Sequence, residues 1–221
     1  HTIYNEFNDY YDYAYDEESD LDIDSLSSDG LGAYLFVNRT FSASKTEIEY
    51  LLNYANIGND VFIVAEQIEL GLLDTLNLKI NYNYTKKDAA KYRLTDVSKR
   101  VYNIGGSYAY SISPDSLCSL DVRVLGYMEK PEQANFIQIN YGRGHIYIHT
   151  TPKAFSNIEL LKLNQYDYAF RCFSYIPKSS YIIWDEYQKQ GAPGERSIFR
   201  VIWADKNLRI AFLIILFGAV I

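Results

Sequence analysis

Short apolar runs recur along the chain as AYLFVN (33–38), VFIVAE (61–66), HIYIHT (145–150) and YIIWDE (181–186). Runs this short, apolar on successive residues, suit strands buried on both faces of a parallel sheet. Helical signals lie between them. Ser44-Lys45-Thr46-Glu47 is a capping box, in which the Ser hydroxyl takes one free amide and the Glu carboxylate reaches back to another. Ile48, Leu51, Leu52 and Ala55 follow at helical spacing, and Gly58 supplies a left-handed stop. A second short helix is expected over 67–76. Strand, helix, strand and helix in quick succession predict a parallel sheet with right-handed crossovers.

The middle of the chain changes period. LKINYNY (78–84) and parts of 101–127 alternate, and Gly105-Gly106 marks a turn. NFIQIN and HIYIHT flank Tyr141-Gly142-Arg143-Gly144, which reads as a hairpin. An antiparallel insertion or edge on the parallel core is therefore expected. After Pro152, Ser156-Asn157-Ile158-Glu159 is a second capping box. It opens a helix along Leu160, Leu161, Tyr168, Ala169 and Phe173 that Pro177 bars from continuing. YIIWDE is read as the last strand, central in the sheet.

Composition adds boundaries. With 221 residues, 48% of them hydrophobic, the chain has enough apolar surface for one sizeable core. Its acidity is uneven. Residues 1–38 hold ten acids and no Lys or Arg, so a net charge of −7 overall leaves +3 on residues 39–221. Residues 1–30 mix Tyr with acids without period and read as a poorly ordered arm. Residues 31–200 read as the α/β domain. Residues 201–221 read as an amphipathic stretch leading into IAFLIILFGAVI (210–221), a transmembrane helix cut short, since a full span needs about 20 apolar residues. Neither part carries the basic stripe that nucleic-acid binding requires.

Candidate chemistry is sparse. Cys118 and Cys172 form no disulfide framework and no zinc site alone. Asp20, Asp22 and Asp24 have calcium-loop spacing, but Ser25 and Leu31 stand where that loop needs Gly and Glu. The Gly-Arg-Gly turn lacks a phosphate loop's ending, and no Gly-x-Ser-x-Gly occurs. Ligands of open parallel sheets bind outside the carboxyl ends of the strands. Those ends carry Asn38, Glu66, His149 with Thr150, and Trp184, Asp185 and Glu186. They are candidate binding residues, or simply the polar groups in which buried strands must end. His149 is the best titratable group among them, and His145 shares its strand face. Asp185 and Glu186, as neighbours on a strand, point to opposite faces. No catalytic residue, cofactor or metal is assigned.

NFIQINYGRGHIYIHTTPKAFSNIELL, followed by YIIWDEYQKQ and an apolar run, resembles the domain of unknown function 4350 family, its Bacteroidetes branch in particular. The resemblance covers residues 33–221 and is most specific at Tyr141–Gly144, Thr151–Phe155 and Trp184–Tyr187. It implies a flavodoxin-like, class I glutamine amidotransferase-like α/β domain with a mostly parallel sheet flanked by helices, lying between membrane helices. It further implies a bacterial inner-membrane location, the soluble domain periplasmic, with protein partners in an envelope complex. The amidotransferase elbow Gly-x-Cys-x-Gly and its His-x-Glu pair do not occur here. The expectation is therefore a non-enzymatic, membrane-tethered binding or scaffolding domain. Its rival is a hydrolase or transferase built on His149, Asp185 and Glu186.

Overall fold

The computed structural model describes residues 32–84, 89–96, 100–105, 108–129, 132–162, 165–176, 181–185, 209–210 and 212. The acidic arm, Glu186 and most of 201–221 lie outside the described residues.

The strands in chain order are β1 (Gly32–Val37), β2 (Thr40–Phe41), β3 (Asp60–Val64), β4 (Gln67–Ile68), β5 (Leu78–Tyr84) and β6 (Ala89–Leu94). They continue as β7 (Tyr102–Gly105), β8 (Tyr108–Pro114), β9 (Val122–Glu129), β10 (Glu132–Tyr141), β11 (Gly144–His149) and β12 (Tyr181–Trp184). The helices are α1 (Lys45–Asn56), α2 (Leu70–Thr75), α3 (Asn157–Leu160) and α4 (Tyr166–Phe173), with a 3-10 turn over Pro152–Phe155.

Eight strands form one mixed sheet in the order β12-β1-β3-β11-β10-β9-β6-β7. Three of its pairings are parallel and four antiparallel. The expected mostly parallel, flavodoxin-like or class I glutamine amidotransferase-like sheet flanked by helices is thus overturned. The domain is mostly β, and among the described residues only α1 exceeds eight residues. The physical reason lies at β11. Its partner on one side is the parallel strand β3 and on the other the hairpin strand β10, so the antiparallel strands prolong the main sheet. Two ribbons, parallel β2–β4 and antiparallel β5–β8, complete the described strands.

Alternation sorts side chains to the two faces. Tyr34, Phe36, Val61, Ile63, Ile146 and Ile148 pack with Ile48, Leu51 and Leu52 of α1. Leu35, Phe62, Val64, Tyr147 and Phe136 pack with Tyr168 and Cys172 of α4. These are the α1 face and the α4 face. Both cysteines are free thiols.

The first capping box forms in full: the Glu47 amide donates to Ser44 Oγ at 3.3 Å, and the Ser44 amide to Glu47 Oε2 at 2.7 Å. Removing that hydroxyl in Ser44→Ala should cost about 1 kcal/mol in denaturant unfolding. An unchanged unfolding midpoint would contradict this. The second box is half made. Ser156 Oγ accepts from the Glu159 amide at 3.4 Å, while the Glu159 carboxylate turns inward to the Gly105 amide at 3.2 Å. The single helix expected beyond Ser156 is broken into α3 and α4.

Two other expectations are corrected. β12 is an edge strand, not a central one, and Trp184 on it is 46% exposed. An apolar run of four residues is the same in either place; only its neighbours differ. No helix among the described residues is long and apolar enough to cross a membrane. The expected membrane partnership through a C-terminal transmembrane helix is therefore withdrawn. Contacts divide the chain into His1–Lys189 and Gln190–Ile221; of the second unit, Arg209, Ile210 and Phe212 are described and helical.

Candidate functional site

The carboxyl ends of β1, β3 and β11 lie side by side, with Val37, Val64 and His149 in one register row. Polar groups gather there on the α4 face. His149 ends β11 and is fully buried among the rings of Phe136, Phe155 and Tyr168, at 5.1, 5.1 and 5.6 Å between centroids. Its Nδ1 accepts from the Thr151 amide at 3.0 Å. That bond places the ring proton on Nε2, which donates to the Tyr168 hydroxyl at 2.9 Å. Burial pulls the imidazole pKa down to about 3, so the ring is neutral at physiological pH.

Asn135 joins the same network through a bulge. Between Ala134 and Phe136 the register slips against Tyr127 and Gly126, leaving Asn135 as the extra residue of β10. Such bulges re-aim a side chain. Here Asn135 Nδ2 donates to the Tyr168 hydroxyl at 3.0 Å and to Thr151 Oγ1 at 3.3 Å, and its Oδ1 is buried without a partner. A Cβ on Gly126 would lie 3.2 Å from that Oδ1, so the glycine keeps this side open to the amide. The Asn135 carbonyl accepts from the Thr150 amide at 2.8 Å.

The network reaches outward through Tyr92. Burial raises its phenol, against a hydrogen bond with Thr151 and with the nearby charge of Glu66 adding to the rise. Glu66 is half-buried and pairs with Arg39 Nε at 3.2 Å. Asn38 sits beside it, its Oδ1 accepting from the Arg39 amide at 2.8 Å and its own amide donating to the Val64 carbonyl. Asn38, Glu66, His149 and Thr150 therefore do come to one end of the sheet.

Trp184 and Asp185 do not join them. Trp184 is exposed on β12. Asp185 is fully buried on the α1 face, where its carboxylate accepts from the Tyr34 hydroxyl and its amide donates to the Leu35 carbonyl at 2.9 Å. The sheet stands between it and His149.

Other pairings were not legible. Asp60 opens β3 and is nearly buried; its Oδ1 lies 2.9 Å from His145 Nδ1 at the amino ends of the strands. Burial pushes the Asp60 carboxyl up, and the hydrogen bond and charge of His145 pull it back. Both residues lie in apolar strands, but the sequence does not say that β3 and β11 are neighbours. Among the described residues no group of three or more His, Cys, Asp or Glu is placed to hold a metal ion.

Fold and site define a β-rich mixed-sheet domain whose strand ends close on a buried polar network. Its sequence places it: the chain belongs to the domain of unknown function family DUF4350, whose model matches residues 17–173. No curated protein matches the sequence. Among solved structures, a β-galactosidase from Bacillus circulans sp. alkalophilus is 10% identical, with a TM-score of 0.39 over 54% of this chain and 20% of that one. The exo-β-1,4-mannosidase Op5Man5 from Opitutaceae bacterium strain TAV5 is 12% identical, with a TM-score of 0.38 over 58% and 21%. The mmIFT52 N-terminal domain is 12% identical, with a TM-score of 0.48 over 64% and 75%. The match thus spans about a fifth of either glycosidase's length. Likeness at this level carries over neither fold nor activity.

Proposed function

We propose that this chain is a non-enzymatic binding or scaffolding domain of the bacterial cell envelope, of the Bacteroidetes type that the sequence resemblance implies. One observation carries the reading: His149 is spent on the fold. A general base needs a nitrogen that can reach a substrate proton and a pKa near the working pH. Both ring nitrogens of His149 are engaged inside the protein, its surface is covered, and its pKa is far below neutrality. The rival hydrolase or transferase needs His149 and Asp185 to converge, and they face opposite sides of the sheet.

The test is a turnover screen of the full chain against model esters, phosphomonoesters, glycosides and acyl-transfer substrates, with His149→Gln in parallel. Neither protein should exceed the buffer blank. Turnover by the parent that is abolished in a folded His149→Gln protein would overturn the reading.

A further inference from the structure

Two guanidinium groups meet on one carboxylate where the edge strand β7 comes up to α4. Asp167 Oδ2 accepts from Arg100 Nη1 at 2.8 Å, from Arg171 Nε at 2.8 Å and from the Tyr102 hydroxyl at 2.7 Å. Arg171 lies one turn after Asp167 on α4. Arg100 stands two residues before Tyr102, its guanidinium carbon 5.6 Å from the centre of that ring. Both arginines are thus held by the fold before any ligand arrives.

Most of their hydrogen-bonding capacity is unused. A guanidinium carries several N–H donors, and the bonds to Asp167 take one from each side chain. Arg100 and Arg171 remain 39% and 36% exposed, so part of each fork reaches solvent. Their charge is unmatched as well. One arginine would neutralise Asp167 and tie β7 to α4; the second leaves the cluster with an excess positive charge. Asp167 does most to raise the Arg171 pKa and Asp96 least, and Asp96 pairs with neither arginine among the described residues. Beside the cluster, Tyr166 and Phe170 precede Asp167 and Arg171 in sequence and form an exposed aromatic strip, their rings 6.2 Å apart.

We infer that the Arg100–Arg171 pair is a binding site for a carboxylate, carried on an apolar group that lies along Tyr166 and Phe170. This names a ligand class for the binding-domain reading, on which it rests. Three features select that ligand. The planar guanidinium fork matches a carboxylate with two parallel bonds. A single negative charge completes the neutralisation that Asp167 begins, whereas a phosphate dianion would overshoot it. The aromatic strip beside the charge suits a ligand whose carboxylate adjoins a ring or an aliphatic chain.

Titrating the full 221-residue chain with N-acetylphenylalanine, followed by the backbone amide resonances of α4, tests this. The readout involves no turnover, so its failure is distinct from failure of the non-enzymatic reading. Saturable shifts should appear with the acid and be absent with N-acetylphenylalanine amide, which keeps the ring and lacks the charge. Arg171→Gln should weaken binding about tenfold, the loss of one charge-assisted pair. Arg100→Gln, outside α4, should weaken it too, which guards against a local defect in the helix variant. Trp184→Ser, on the β12 edge, should leave it unchanged. No shift with the acid, equal shifts with the amide, or binding indifferent to both arginine variants would overturn the inference. So would an equal response to inorganic phosphate at matched ionic strength, since the site would then not select a carboxylate.

Discussion

Unfolding free energy should fall by about 3 kcal/mol more between pH 7 and pH 4 in the parent protein than in His149→Gln. The imidazole's ordinary value is 6.5, and burial brings it to about 3 in the folded protein. Below pH 6.5 the unfolded chain takes up a proton on this ring, while the folded protein refuses it until near pH 3. The unfolded state therefore binds more protons throughout that window, and stability falls as pH falls. Above pH 6.5 both states are neutral and the residue adds no slope. Asp60 acts in the opposite sense: burial raises its carboxyl, so the folded state holds the extra proton as pH falls. Asp167 acts in the same sense as His149. Partial burial pushes its carboxyl up, but bonds from Arg171 and Tyr102 outweigh that and leave it lowered. Both carboxylates are present in parent and variant alike, so the difference between the two proteins isolates His149. Chemical denaturation of each at pH 7 and pH 4 is the measurement. Equal losses in the two proteins would mean the ring is not held neutral, and the closed network at the strand ends would have to be abandoned.

Much of the local structure could be read from the sequence, because its signals are local. The Ser44 box and Gly58 bracket α1, and Gly58 adopts φ 119°. Tyr141–Gly144 is a hairpin turn, and Gly142 has φ 60°. At Gly144 a Cβ would meet the Asn59 carbonyl at 2.0 Å, so only glycine fits where β11 begins. What failed was non-local. The hairpin of β10 with β11 is legible at its turn, but nothing in the pattern says that β11 also pairs with β3, so that β10 and β9 prolong the main sheet. The run YIIW has the composition of a central strand and the position of an edge.

The candidate site divides in the same way. Counting residues to the end of each apolar run found Glu66 and His149, because strand ends are a local property. Asn135, Tyr168, Tyr92 and Thr151 were missed. Asn135 enters through a register slip that only the pairing with β9 reveals, and Tyr168 arrives from a helix nineteen residues further along the chain. The face each strand turns inward, and hence the separation of Asp185 from His149, follows from which helices cover the sheet.

Asp185 gives the sharper test of what YIIWDE is for. Its carboxylate is fully buried and accepts the Tyr34 hydroxyl across the β1–β12 pair. Asp185→Ala removes that acceptor and a charge-assisted bond, and should cost about 2–3 kcal/mol. Asp185→Asn keeps an acceptor oxygen and should cost less. Tyr34→Phe leaves the buried carboxylate without this donor, and should also destabilise. The two residues share one interaction, so the double variant Tyr34→Phe with Asp185→Ala should lose less than the sum of the singles, by about 1 kcal/mol or more. Residues kept for function behave in the opposite way, since a strained or uncompensated site group often leaves the fold unharmed or firmer when removed. Denaturant unfolding of the four variants at pH 7 decides between these outcomes. If Asp185→Ala is as stable as the parent and the cycle shows no coupling, the carboxylate is not part of the fold's scaffold, and a ligand-facing role at the end of β12 becomes the better account.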